Sequence, residues 1–243
     1  MKLHWRLERP VNLVARKKIV FVIVEGPSDE EALGAILYKI FDKDTVHVHI
    51  THRDITTDRD SKNWSIINKV VSEVKQYAAS NHFTKGHFKE IVHIVDLDGA
   101  YIPNSNIVED ENALKPVYCE DCIKTCNKTN IENRNAQKSS NITKLASTEE
   151  VWGLPYRVFY MSCNLDHVLY NKQNSSDDQK EADSFDFAKK YKDKIEDFLT
   201  FISCSDFSVM TGYKQSWEYI KQDLNSLHRH TNLGLCFKNE DAS

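Results

Sequence analysis

Two short apolar runs that each end on carboxylates set the limits on what this chain can fold into. Residues 19–24, IVFVIV, are apolar without a break and lead straight into Glu25-Gly26-Pro27-Ser28-Asp29. Residues 91–95, IVHIV, lead into Asp96-Leu97-Asp98-Gly99. A run that is apolar at every position is buried on both faces, which predicts a central strand covered by helices on either side. A strand of that kind ending on a carboxylate, followed by a glycine turn and a helix start, delivers charge to one edge of a sheet. Two of them bring Glu25, Asp96 and Asp98 to that edge.

The order of elements argues for a parallel sheet. Ser28 is expected to cap a helix, with Glu31 three residues later in the reciprocal pattern. Ala32, Leu33, Ile36, Leu37 and Ile40 then recur at helical spacing. Residues 46–50 alternate Val or Ile with His and predict a strand near the sheet edge. A polar loop follows at 51–61, and an amphipathic helix is expected from Trp64 to Tyr77, through Ile66, Ile67, Val70, Val71 and Val74. Strand, helix, strand, helix, strand is the signature of an α/β fold with right-handed crossovers. Ligands in such sheets sit beyond the carboxyl ends of the strands, where Glu25 and Asp96 fall.

The periodicity then dissolves. Residues 100–150 read as an insertion or mobile loop, since 127–141 (NKTNIENRNAQKSSN) is polar and without a period; Arg134, Lys138 and Lys144 supply its positive charge. Residues 156–161 predict a further strand, running into Ser162-Cys163-Asn164-Leu165-Asp166-His167. Residues 172–183 read as a charged, solvated connection. From 184 onward the spacing of Phe185, Phe187, Ile195, Phe198, Leu199, Trp217, Ile220, Leu224 and Leu227 predicts helices. The expected organisation is an arm at 1–16, an α/β domain at 17–170 with a polar insertion at about 100–150, and a helical C-terminal extension at 184–243.

Composition narrows the setting. With 40% hydrophobic and 28% charged residues over 243 positions, the chain has the make-up of a globular protein with a real core. Its longest apolar run is six residues, far short of a membrane span, and its charged N-terminus lacks the apolar centre of a signal peptide. A cytoplasmic protein with no membrane partner is expected. The formal charge of −4 does not advertise a polyanion partner, so contacts to nucleic acid would rest on local basic residues. Arg53, Arg59, Lys62, Arg134, Lys138 and Arg229 are the candidates, with Tyr101 available to stack on a base.

Alternate residues at a strand end point the same way while the chain stays extended, so Asp96 and Asp98 are expected to share a hard cation. Magnesium, or manganese, suits that ligand set because it takes a few carboxylates and keeps waters for a substrate phosphate. Glu25-Gly26-x-x-Asp29 after one apolar strand and Asp96-x-Asp98 after another resemble the Toprim domain. That domain is shared by topoisomerases, bacterial primases, small ribosomal-RNA maturases and overcoming-lysogenization-defect nucleases. The resemblance spans residues 18–99 and, more loosely, 156–170. It implies a Rossmann-like fold, Mg²⁺ on Asp96 and Asp98, and Glu25 as a metal ligand or general acid/base.

Ala100 stands where topoisomerases and primases often carry a third acidic residue, which directs the resemblance to the compact nuclease branch, including standalone proteins of phage defence. A further acidic residue often follows a later strand in that branch, which makes Asp166 a candidate, with His167 beside it. The implied activity is Mg²⁺-dependent cleavage of DNA or RNA in a defence or toxin-type role. No GxxxxGK[ST] loop occurs in the chain, so any ATP dependence implies a separate ATPase partner. Self-association is also compatible with the resemblance.

Two other readings compete. A Toprim-derived binding or regulatory module would use the helical C-terminal third as an interface to a partner or a second copy. A haloacid-dehalogenase-like phosphatase would use Asp96 as nucleophile, Asp98 as general acid and Ser162 as its second motif. Against the phosphatase, Ala100 stands where that family has threonine, and Glu25-Gly26-x-x-Asp29 is left without a role. Cys119, Cys122 and Cys126 are spaced to chelate zinc, but a closed site wants four ligands. The fourth would have to come from His93, Cys163 or His167, so free thiols are the favoured reading.

Overall fold

The computed structural model describes residues 18–41, 46–50, 55–57 and 64–238. The expected arm and the basic residues Arg53, Arg59 and Lys62 lie outside the described residues. In chain order the elements begin β1 (Ile19–Val24), α1 (Pro27–Ile40), β2 (Val46–Ile50), α2 (Ile66–Ser80) and β3 (Phe88–Asp96). Next come β4 (Ile107–Glu109), β5 (Val117–Tyr118), β6 (Ile123–Thr125), α3 (Lys128–Ala146), β7 (Glu150–Val151) and β8 (Leu154–Ser162). The chain continues through α4 (Leu165–Tyr170), α5 (Asp177–Tyr191), α6 (Ile195–Cys204), α7 (Tyr213–Ile220) and β9 (His230–Thr231).

Why β1 is apolar throughout is visible in its two faces. Val20, Val22 and Val24 pack with Ala32, Leu33, Ile36 and Leu37 of α1. Phe21 and Ile23 pack on the other face with Val70 and Val74 of α2. The main sheet runs β2-β1-β3-β8-β7, and β9 pairs with β8. The four strands β2, β1, β3 and β8 are parallel. From β1 the chain steps outward to β2 over one face, then returns over the opposite face to β3. The crossover direction therefore reverses between β1 and β3, and the crevice at their carboxyl ends is a topological switch point.

The C-terminal helices complete both layers. Phe187, Tyr191, Phe198 and Ile202 of α5 and α6 extend the α1-side core. Trp217 and Ile220 of α7 join Ile142 and Leu145 of α3 on the α2 side. The outer edge of β8 is closed by side chains, since Val158 N–H donates to the Tyr213 hydroxyl (3.2 Å) and Tyr160 N–H to Asn232 Oδ1 (2.9 Å). Covering an edge in this way blocks pairing with other chains.

Several local expectations are corrected. The cap of α1 is Gly26 rather than Ser28, because Pro27 takes the first helical position, where its missing N–H is no loss. Asp29 Oδ2 accepts from Gly26 N–H at 3.0 Å. The third strand starts at Phe88, three residues early, because Phe88 belongs to the α2-side core. Residues 177–183 are the first turns of α5, started by a Ser176/Gln179 capping box, rather than a solvated connection.

The largest correction concerns 127–141. This segment is part of α3, a 19-residue helix capped by Asn127, whose side chain accepts from Asn130 N–H. Its buried face is Ile131, Asn135, Lys138, Ile142 and Leu145, a regular helical repeat in which two of five inward positions are polar. Counting apolar residues alone hides that repeat. Ala136 is exposed at mid-helix, so Ala136→Pro is expected to cost about 3 kcal/mol or more in urea unfolding. A loop would tolerate the same change to within roughly 0.5 kcal/mol.

Candidate active site

Three adjacent parallel strands deliver acidic residues to one edge. Glu25 follows β1, Asp96 ends β3, and Asp166 lies in the first turn of α4, just past β8. Asp29 joins them from the first turn of α1. Glu25 is more than a solvated strand end: its Oε1 accepts from Asp96 N–H at 3.3 Å, across the switch-point crevice. Asp96 Oδ1 accepts in turn from Leu165 N–H at 2.9 Å, which ties β3 to the start of α4.

Asp96 and Asp98 do not stay side by side on an extended chain. Asp98 has φ +50° and Gly99 φ +65°, so the chain turns sharply after Leu97. A Cβ at Gly99 would stand 3.0 Å from Ile123 Cδ1, so both conformation and space favour glycine. The turn is pinned by Asp98 N–H donating to Cys163 carbonyl at 2.6 Å. Asp98 Oδ1 accepts from the Tyr118 hydroxyl (3.1 Å), and its Oδ2 from Lys138 Nζ (2.5 Å). The Lys138 side chain is fully buried. Arg134 donates to Tyr118 Oη (3.0 Å) and to the Asp98 carbonyl (2.8 Å), and Asn135 Nδ2 donates to the Gly99 carbonyl (3.4 Å). Residues expected to be surface charges on a loop are thus the docking face of α3.

The charges are crowded. Glu25, Asp29, Asp96, Asp98 and Asp166 share this end of the sheet, and among the described residues Lys138, Lys180 and Arg134 offset part of their charge. Asp96 is recessed among protein atoms yet still reached by solvent. Burial pushes its carboxyl well above the usual range, with Asp29, Asp98 and Asp166 adding repulsion that Lys138 only partly offsets. Burial raises Asp29 to about 6 despite the Gly26 N–H, and Asp166 adds to the rise. Asp166 is raised by burial as well, against the pull of Lys180, whose Nζ stands 3.7 Å from Asp166 Oδ2. Burial alone would lower Lys180, but Asp166, Asp96 and Asp29 outweigh it and hold the ammonium charged.

His167 is held differently. Burial, then Arg229, His228 and His230, lowers it to about 4, so the imidazole is neutral at physiological pH. Its Nδ1 accepts from Cys163 N–H at 3.4 Å. Arg229 is not poised toward this edge: Nε and Nη2 both donate to the Val168 carbonyl (3.0 and 2.7 Å), and its guanidinium lies 4.1 Å from the Phe207 ring centroid. Tyr101 donates to the Ser139 carbonyl at 3.3 Å, which anchors it against α3. Ser162 Oγ donates to the Asn225 carbonyl at 2.9 Å.

Cys119 and Cys122 flank the turn of the β5–β6 hairpin, closed by Cys119 N–H to the Cys122 carbonyl at 2.9 Å. His93, considered as a further ligand, is buried in β3 with Nδ1 2.8 Å from the Tyr156 hydroxyl. Among the described residues, no three His, Cys, Asp or Glu side chains are gathered at metal-binding distances. The donor set at the sheet edge is nonetheless of the type a hard cation takes, all carboxylate oxygen. Tyr118 and Lys180 were not legible as site residues from the sequence. No family model, curated protein or solved structure matches the chain.

Two outcomes test this electrostatic picture. Asp29→Asn keeps an acceptor for Gly26 N–H and removes a charge. A folded-state carboxyl raised to about 6 holds its proton more tightly than the unfolded chain, so stability falls as pH rises from about 4 to 6. In chelator, Asp29→Asn is therefore expected to be about 3 kcal/mol more stable than wild type above pH 6, with little difference below about pH 4. Second, Lys138→Met strands Asp98 and is expected to cost about 3 kcal/mol by denaturant unfolding, most of it recovered in Asp98→Asn/Lys138→Met. Additive single and double effects would mean the pair is not coupled.

Proposed function

We propose that the chain is a divalent-metal-dependent nuclease of Toprim type that cleaves phosphodiester bonds in DNA or RNA. The observation that carries this reading is the gathering of Glu25, Asp29, Asp96 and Asp166 at the carboxyl ends of β1, β3 and β8, with burial holding the three aspartates above their ordinary values and repulsion within the group adding at Asp29 and Asp96. Such a cluster calls for a cation, and a polyanionic substrate could not approach it without one. Glu25 and Asp96 are the residues that would hold magnesium or manganese. When bound, that ion would neutralise charge on the scissile phosphate and lower the barrier to its hydrolysis.

The chain's own groups divide the remaining work. Glu25, hydrogen-bonded to Asp96 N–H, orients the metal-binding edge. Lys180, held charged beside Asp166, attracts the phosphate backbone. His167, neutral and bonded through Nδ1 to the Cys163 N–H, orients the turn between β8 and α4. We further propose a defence or toxin-type role with a separate ATPase as controlling partner, on the ground of the Toprim resemblance alone.

One observation favours a second reading, the binding or regulatory module. Lys138 already neutralises Asp98, one of the carboxylates the family pattern would assign to metal. The phosphatase reading is weakened by the same ion pair, which takes its general acid, and by Ser162 facing Asn225.

The test is incubation of the purified chain with plasmid, single-stranded DNA and structured RNA in Mg²⁺ or Mn²⁺. Cleavage is expected, with Glu25→Gln and Asp96→Asn each reducing it by on the order of 100-fold or more. Cleavage that survives both substitutions would sink the assignment, and inertness toward every substrate would favour the binding module.

A further inference from the structure

We propose that Lys138 is the built-in cation of this centre, so that it takes one divalent ion on the Glu25–Asp96 side and Asp98 is not a metal ligand. This rests on the reading of Glu25 and Asp96 as a metal centre. A shared ion between Asp96 and Asp98 requires both carboxylates to face the same space. Here the turn at Asp98 and Gly99, both at positive φ, swings the second carboxylate toward the inserted segment. There Tyr118 occupies Oδ1 and Lys138 occupies Oδ2. Burial and the neighbouring Asp98 push the Tyr118 phenol well above its ordinary range, so it remains a protonated donor.

The arrangement is held from several directions. Arg134 grips the Asp98 carbonyl, Asn135 the Gly99 carbonyl, and the Cys163 carbonyl takes the Asp98 N–H. Lys138 itself cannot swing out without unpacking α3, since Ile131, Ile142 and Leu145 on the same helix face are buried in the core. A second divalent ion on Asp98 would stand beside a buried ammonium with little water to screen the repulsion. The lysine therefore does by covalent attachment what a second ion would do by binding.

The experiment is a Mn²⁺ titration of the full chain followed by electron paramagnetic resonance, which counts bound ions without reference to activity. One Mn²⁺ per chain is expected. Asp96→Asn should weaken binding by roughly 100-fold, as loss of a direct ligand does, while Asp98→Asn/Lys138→Met, which removes the carboxylate without stranding the buried ammonium, should shift it by less than about threefold. Two ions in the wild type, or a loss in that double variant equal to the loss in Asp96→Asn, would overturn the inference; cleavage seen alongside would leave the nuclease reading standing. No bound Mn²⁺ at all would overturn both.

Discussion

The contact on which the rest of the site depends is the ion pair between Lys138 and Asp98. Taking an ammonium fully out of water is unfavourable by several kcal/mol unless a charged partner and further hydrogen bonds replace its hydration. Asp98 supplies the partner, and Tyr118, Arg134 and Asn135 complete the network around it. Without that pair, α3 would bring a bare charge into the interior and could not lie against the sheet. With it, a polar segment packs beside the carboxyl end of β3.

The pair also divides the acidic residues into two groups. On one side of the Asp96–Asp98 turn the charge is balanced from within, by a lysine that is part of the fold. On the other, Asp29, Asp96 and Asp166 crowd beside Glu25 with Lys180 at 3.7 Å from Asp166, and burial, with repulsion adding at Asp29 and Asp96, raises the proton affinities of the three aspartates. A protein can relieve such crowding by holding protons or by holding a cation. Near neutral pH, and with Asp29 raised only to about 6, protons alone leave part of the repulsion in place. The parallel topology explains why the crowding arises here, because every strand of this sheet that matters ends at the same edge.

Much of this was legible in the sequence. IVFVIV could only be a strand buried on both faces, and the alternation after it required parallel pairing, so Glu25 and Asp96 had to meet at one edge. Asp166 could be placed from its position just past the next strand. What was not legible has a common physical cause: polar residues doing the packing of apolar ones. Asn135 and Lys138 sit at inward positions of α3 and broke the apolar count, although the spacing 131, 135, 138, 142, 145 is helical throughout. Tyr118 and Lys180 reach the site from elements whose direction only tertiary packing fixes. The side-by-side expectation for Asp96 and Asp98 failed because it assumed extended backbone, and Asp98 turns at positive φ.

The most direct test of the central claim is a crystal structure of the chain soaked in Mn²⁺, read by anomalous scattering. The prediction is a single anomalous peak in contact with Glu25 and Asp96, with Lys138 Nζ still on Asp98. A peak bridging Asp96 and Asp98 with Lys138 displaced, or no peak at this edge of the sheet, would contradict it.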